Sequence, residues 1–143
     1  MIVTSLRLVG VKVPEEVYDF VKRFKRNGGS GMERANLKDS FYAFSILGHK
    51  DKDTVNFVIK HECEEGNFAK HPHARPPYLE ETFYAVSTLN ILGYSYRNEK
   101  TIKYILSLQN PDGRFRRSVY GGISTLEDCY HAIASLKLMV ELR

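Results

Sequence analysis

The sequence has no tryptophan, only two cysteines in 143 residues, and no long apolar run. No stretch approaches the roughly 18 apolar residues that a membrane-spanning helix needs, so the sequence predicts no membrane span. The first residues lack the basic segment and the small-residue cleavage site of a signal peptide. Cys63 and Cys129 lie in different kinds of predicted helix, which favours a reduced, cytoplasmic protein over a disulfide scaffold.

Features of nucleic-acid-binding proteins are missing as well. The net charge is +4, and its cations group loosely near residues 22–26 and 114–117. No RNP motif, zinc finger or long basic arm accompanies them, so we expect no nucleic-acid partner.

Sustained strand alternation with hairpin turns is also absent. The chain is long enough to bury its own core, and we expect a single domain over residues 1–143.

What the sequence does contain is a repeat. Three stretches resemble one another: LKDSFYAFSILG (37–48), LEETFYAVSTLNILG (79–93) and LEDCYHAIASLKLM (126–139). Each follows a segment in which an aromatic residue lies nine positions before a glycine: Phe20 and Gly29, Phe57 and Gly66, Tyr104 and Gly113. A period of about 42–47 residues is typical of stacked structural units.

Each unit is predicted to be a pair of helices joined by the glycine loop. Apolar residues recur at spacings of three and four, acids enrich the first turn of the second helix, and glycine follows its end. The second helix is apolar over most of its circumference, which predicts burial in an inner layer. The fold class is therefore all-α. We place the units at 15–48, 53–93 and 98–142, and residues 1–10 as the tail of a partial unit.

The repeats carry a family resemblance. The segment LSLQNPDGRF resembles the signature Leu-Gln-x-x-Asp-Gly-x-Phe of the prenyltransferase and squalene-cyclase repeat family, and LEETFYAVSTLNILG is similar to its inner-helix consensus. Members of this family form α/α toroids from about six repeats. The resemblance implies that this chain forms about half of such a toroid, completed by a second copy of itself or by another repeat-containing subunit.

The resemblance also implies where a metal would bind. Protein prenyltransferase β-subunits hold zinc through an Asp-x-Cys pair on one inner helix and a histidine on another. Glu127 and Cys129 match the spacing of the pair, but the histidine register holds only acids: Asp39, Glu81 and Asp128. Cys129 is also explained as a small residue of a packed helix, equivalent to Ser40 and Thr82. The Asp-x-Asp-Asp acid of the family's cyclases is absent.

A third set of residues shares one register position: Tyr42, Tyr84 and His131. They either line a cavity that suits an isoprenoid chain or fill the seam between the helix layers. We predict a repeat protein that is not catalytic by itself, has no cofactor, and binds an isoprenoid-like ligand or a protein partner on its inner face. The alternatives are a zinc-dependent prenyltransferase half-subunit that a partner chain completes, and a structural scaffold without a ligand.

Overall fold

The computed structural model describes residues 10, 12–26, 28–31, 34–48, 52–72 and 74–141. Six helices and one two-stranded antiparallel ribbon follow one another in this part of the chain: α1 Glu15–Lys22, β1 Lys25–Arg26, β2 Gly29–Ser30, α2 Leu37–Leu47, α3 Lys52–Ile59, α4 Leu79–Ile91, α5 Glu99–Ser107 and α6 Leu126–Glu141. None of these helices is both long and apolar enough to cross a lipid bilayer.

The helices form two layers, and the all-α fold class is confirmed. The inner helices α2, α4 and α6 lie side by side, with α4 in the middle, and make the most extensive contacts of the fold. Each outer helix packs on the inner helix that follows it: α1 on α2, α3 on α4, and α5 on α6. The predicted unit boundaries stay predictions, and the partial unit at 1–10 lies almost entirely outside the described residues.

Helix α4 is buried on all sides, as its apolar circumference predicts. Every residue from 79 to 89 except the partly exposed Glu80 is buried, including the polar Glu81, Thr82, Ser87 and Thr88. Small residues at one register position, Ala43, Ala85 and Ala132, are also buried, so the inner helices can approach closely. Removing a side chain of leucine or phenylalanine size from water contributes about 1.5–3 kcal/mol, which makes this layer the main source of stability.

The glycine loops form the seams between units. Gly28, Gly66 and Gly113 each have a φ of +88°, in the left-handed region where glycine is unstrained. In the first unit the left-handed residue is Gly28, one position before Gly29, which the repeat pattern pairs with Phe20. At two seams a threonine of the next outer helix donates to the loop: Thr54 Oγ1 to the carbonyl of Gly28, and Thr101 Oγ1 to that of Gly66.

The aromatic residue two positions after the glycine fills the space behind each of the later loops. Phe68 is fully buried and Phe115 is 5% exposed, so both side chains fill the junction of outer and inner helices. The loop backbone closes on itself at the same points, because Glu62 bridges to Phe68 and Gln109 bridges to Phe115. The seam is thus built from one glycine and one aromatic side chain.

Gly66 and Gly113 have the same backbone conformation but differ in how closely other atoms pack against them. A Cβ at Gly66 would lie 2.5 Å from the backbone nitrogen of Thr101, whereas a Cβ at Gly113 would meet nothing nearer than 4.0 Å. We expect Gly113→Ala to lower the free energy of unfolding by about 1 kcal/mol through the positive φ alone. Gly66→Ala should cost at least about 1 kcal/mol more, because the α5 backbone must also shift. Urea unfolding of both variants measures the difference. Equal losses of unfolding free energy would contradict the close contact between the Gly66 loop and α5.

Candidate functional site

Aromatic rings run across the inner helices in a continuous row. Each inner helix contributes two adjacent rings: Phe41 and Tyr42 from α2, Phe83 and Tyr84 from α4, and Tyr130 and His131 from α6. The ring centroids of Phe41 and Phe83 lie 5.5 Å apart, as do those of Phe83 and Tyr130. Most contacts are edge-on or tilted, the arrangement that aromatic quadrupoles favour. The row ties the three helices together at one level.

The structure brings the three predicted cavity residues together. The ring centroids of Tyr42 and Tyr84 are 6.2 Å apart, and those of Tyr84 and His131 are 5.8 Å apart. Tyr84 and His131 are buried, whereas Tyr42 is 37% exposed at the α2 end of the row. His131 also stacks on Phe83, with 4.6 Å between their centroids and 24° between their planes. These contacts make the predicted residues neighbours. Whether they bind a ligand stays a prediction.

A groove of about 460 Å³ runs across the neighbouring register position. Phe41, Phe83 and Tyr130 line it, one residue before the predicted set. Ser45, Ser87 and Ala134, one turn further along their helices, line it as well, and the buried Ser87 hydroxyl has no hydrogen-bond partner in the described chain. This set was not among the predicted site residues, although an aromatic residue stands at the position in all three copies.

Burial governs the ionisation of the row. It lowers the pKa of His131, against the opposing effect of Glu127, Glu80 and Asp128, so the imidazole is neutral at pH 7. Burial also raises the pKa of Tyr84, with the Tyr42 hydroxyl as a second cause. Both groups therefore present uncharged, polarisable rings. Such a surface suits an apolar ligand or a packed seam better than proton transfer.

The family model of the prenyltransferase α/α-toroid domain matches residues 37–143, about three quarters of the chain. The chain belongs to this family. The match begins at the first residue of α2 and extends over the inner helices of all three predicted units. No curated protein sequence matches the chain.

In this toroid-family chain, Cys129 accepts the same kind of hydrogen bond as its predicted equivalents, Ser40 and Thr82. Its Sγ accepts a hydrogen bond from the backbone N–H of Phe115 at 3.5 Å. In the earlier units, Thr82 Oγ1 accepts from Phe68 N–H at 3.2 Å, and Ser40 Oγ accepts from the N–H of residue 30 at 2.9 Å. All three side chains anchor the glycine loop to the inner helix. The equivalence of Cys129 with Ser40 and Thr82 therefore holds in space.

The donors near Cys129 do not fit a zinc ion with three protein ligands, the usual set in catalytic sites. Glu127 is exposed at the start of α6, and Cys129 is half-buried against the loop. No group of three or more His, Cys, Asp or Glu side chains that could hold a metal exists among the described residues. The zinc pair stays a prediction that needs a third ligand from elsewhere.

Two substitutions separate a loop anchor from a metal ligand. Serine at position 129 keeps an acceptor for the Phe115 N–H, as serine and threonine do in the other units. We expect Cys129→Ser to change the free energy of unfolding by less than about 0.5 kcal/mol and Cys129→Ala to lower it by about 1 kcal/mol. Urea unfolding under reducing conditions measures both. A larger loss for serine than for alanine would argue against the anchor.

Proposed function

We propose that this toroid-family chain binds an isoprenoid-like, apolar ligand in the groove across its inner helices and carries out no chemistry by itself. The observation that supports this most is the aromatic wall of Phe41, Phe83 and Tyr130 around a groove of about 460 Å³. Ligand pockets typically have volumes of about 300–1,000 Å³ and are lined by apolar and aromatic side chains with few polar groups. A methyl-branched chain can pack its methyl groups against the ring faces.

The chemistry of the groove favours binding over catalysis. Its polar lining consists of Ser45, Ser87, Asn90 and Lys137, and it includes no carboxylate, imidazole or thiol. Serine hydroxyl and asparagine amide groups are weaker general acids and bases than the carboxylates and imidazoles that usually act in this role. The predicted zinc pair, Glu127 and Cys129, does not line the groove. A prenyl transfer would therefore need ligands or substrates positioned by another chain.

A thermal-shift experiment tests the ligand. At about 100 times its Kd, a ligand that binds only the folded chain stabilises it by about 2.7 kcal/mol. We expect farnesol or geranylgeraniol at this level to raise the Tm by about 5–10 °C. Ala134→Phe fills the groove and should abolish the shift, while Leu106→Phe, on the outer helix α5 and away from the groove, should keep it. An undiminished shift in Ala134→Phe, or none in the wild type with either alcohol, would remove the proposal.

We further propose that another repeat unit covers the outer edge of α6. Leu37 and Leu79 are fully buried at the start of α2 and α4, yet Leu126, at the same register position of α6, is 91% exposed. Tyr130 and Ile133 continue this exposed stripe at helical spacing, with 63% and 55% exposure. In α4 the position equivalent to Tyr130 is Phe83, which α6 covers. A second copy or another repeat-containing subunit would supply the missing cover.

Light scattering at micromolar concentration checks self-association. We expect an assembly larger than a monomer, and Leu126→Glu should dissociate it by placing a charge in the apolar contact. Leu106→Glu is the matched control, because Leu106 is 50% exposed on the outer helix α5, away from this edge. A wild-type protein that is strictly monomeric would contradict self-pairing and leave a different subunit as the partner.

A further inference from the structure

A second cavity, of about 300 Å³, opens between the starts of α2 and α4. Its lining is polar and ionisable, unlike that of the aromatic groove: Asn36, Lys38, Asp39, Lys70, Glu80, Glu81 and Tyr84. We call it the Glu81 pocket. It shares no lining residue with the groove, so it is a separate site.

The acids at the third position of the inner helices are used differently. Asp39 Oδ2 accepts from the Asn36 side-chain amide at 2.8 Å, and Asn36 caps α2. Asp128 Oδ2 accepts from the Thr125 hydroxyl at 2.7 Å, and the same hydroxyl accepts from the Asp128 backbone N–H. Both are reciprocal capping arrangements, in which the acid is satisfied locally.

Helix α4 lacks such a cap. The residue before it is Tyr78, whose side chain makes no capping hydrogen bond, and the helix instead begins with Leu79 N–H donating to the carbonyl of Arg117 at 2.9 Å. Among the described residues, Glu81, at the position of Asp39 and Asp128, therefore has no capping partner.

Glu81 is 7% exposed, and its Oε2 atom has no hydrogen-bond donor within the described chain. Lys38 and Lys70 line the same pocket, but neither forms an ion pair with Glu81 among the described residues. The adjacent Glu80 is already satisfied, because Arg117 Nη2 donates to it at 2.7 Å. A buried acceptor without a donor is costly, the more so when it is charged. Within the described chain, Glu81 Oε2 is thus an unsatisfied hydrogen-bond acceptor in the pocket.

We propose that the Glu81 pocket binds a compact organic cation with N–H groups, such as a primary ammonium, which donates a hydrogen bond to Glu81 Oε2. A charge-assisted bond of this kind satisfies both the acceptor and the buried charge. An anion would instead meet three carboxyl groups, from Asp39, Glu80 and Glu81. A metal ion is less suited, since no three-ligand group exists among the described residues. The inference goes beyond the proposed isoprenoid groove and is independent of it.

The ionisation of Glu81 makes the binding pH-dependent. Its pKa is raised from 4.5 to about 7, first by burial and second by the charge of Glu80, against the opposing effects of Lys70, Lys38 and Arg117. The folded state therefore holds the proton more tightly than the unfolded state. Stability from this group is present below about pH 4.5 and is lost as the pH rises through about 7. A bound cation favours the ionised form, so its affinity should increase over the same upper range.

The test uses the whole chain, with propylammonium as the probe and chemical-shift titration by NMR as the readout. At pH 8 we expect saturable shifts of amides near Glu81, and binding about tenfold weaker at pH 6, following the ionised fraction of a group that titrates near 7. Tetramethylammonium has the same charge and no N–H donor, so it should bind at least about tenfold more weakly. Inorganic phosphate should bind more weakly than propylammonium.

Two variants complete the test. Glu81→Gln keeps the shape, should weaken propylammonium at least about tenfold, and should raise the Tm at pH 8 because a buried charge is removed. Lys70→Met removes an opposing charge and should tighten binding. Equal affinities for propylammonium and tetramethylammonium, unchanged binding by Glu81→Gln, tighter binding of phosphate, or no saturable shift would each overturn the proposal. None of these outcomes bears on farnesol in the groove.

Discussion

The burial of α4 between two helices of its own kind is the constraint on which the rest of this structure depends. A helix that is apolar all round cannot sit at a surface, so α2 and α6 must flank it and the outer helices must close the layer. The aromatic row follows from this arrangement, since Phe83 and Tyr84 can meet rings from both neighbours only when the three helices align in register. The small residues at 43, 85 and 132 allow that alignment.

The repeat places equivalent residues in equivalent positions, but their surroundings decide what each can do. Ser40, Thr82 and Cys129 all anchor a glycine loop, so the identity of the side chain matters little as long as it accepts a hydrogen bond. Asp39, Glu81 and Asp128 differ more, because Asn36 and Thr125 satisfy two of them and Tyr78 cannot satisfy the third. Departures from the repeat thus change the hydrogen bonding of side chains at equivalent positions.

Much of the fold could be predicted because helical period, glycine turns and family motifs are local features of the chain. The all-α class, the buried inner helices and the glycine loops that join the helix pairs all followed from such signals. The residues that line the groove were harder to predict from the sequence. The sequence singled out Tyr42, Tyr84 and His131, yet the groove is lined by the rings one position earlier, because a helix turns about 100° per residue and the pattern alone does not say which register faces open space.

By itself, the sequence determined an all-α repeat of the prenyltransferase toroid family, since periodic burial and signature motifs need no knowledge of distant contacts. The tertiary structure alone decided that, within the described part of the chain, Glu81 Oε2 is buried without a donor, because that depends on a missing cap at Tyr78, on Arg117 pairing with Glu80, and on lysines that form no ion pair with Glu81. It also decided that Leu126 is exposed where Leu37 and Leu79 are buried. Identical register positions diverge there because burial depends on what packs against a residue.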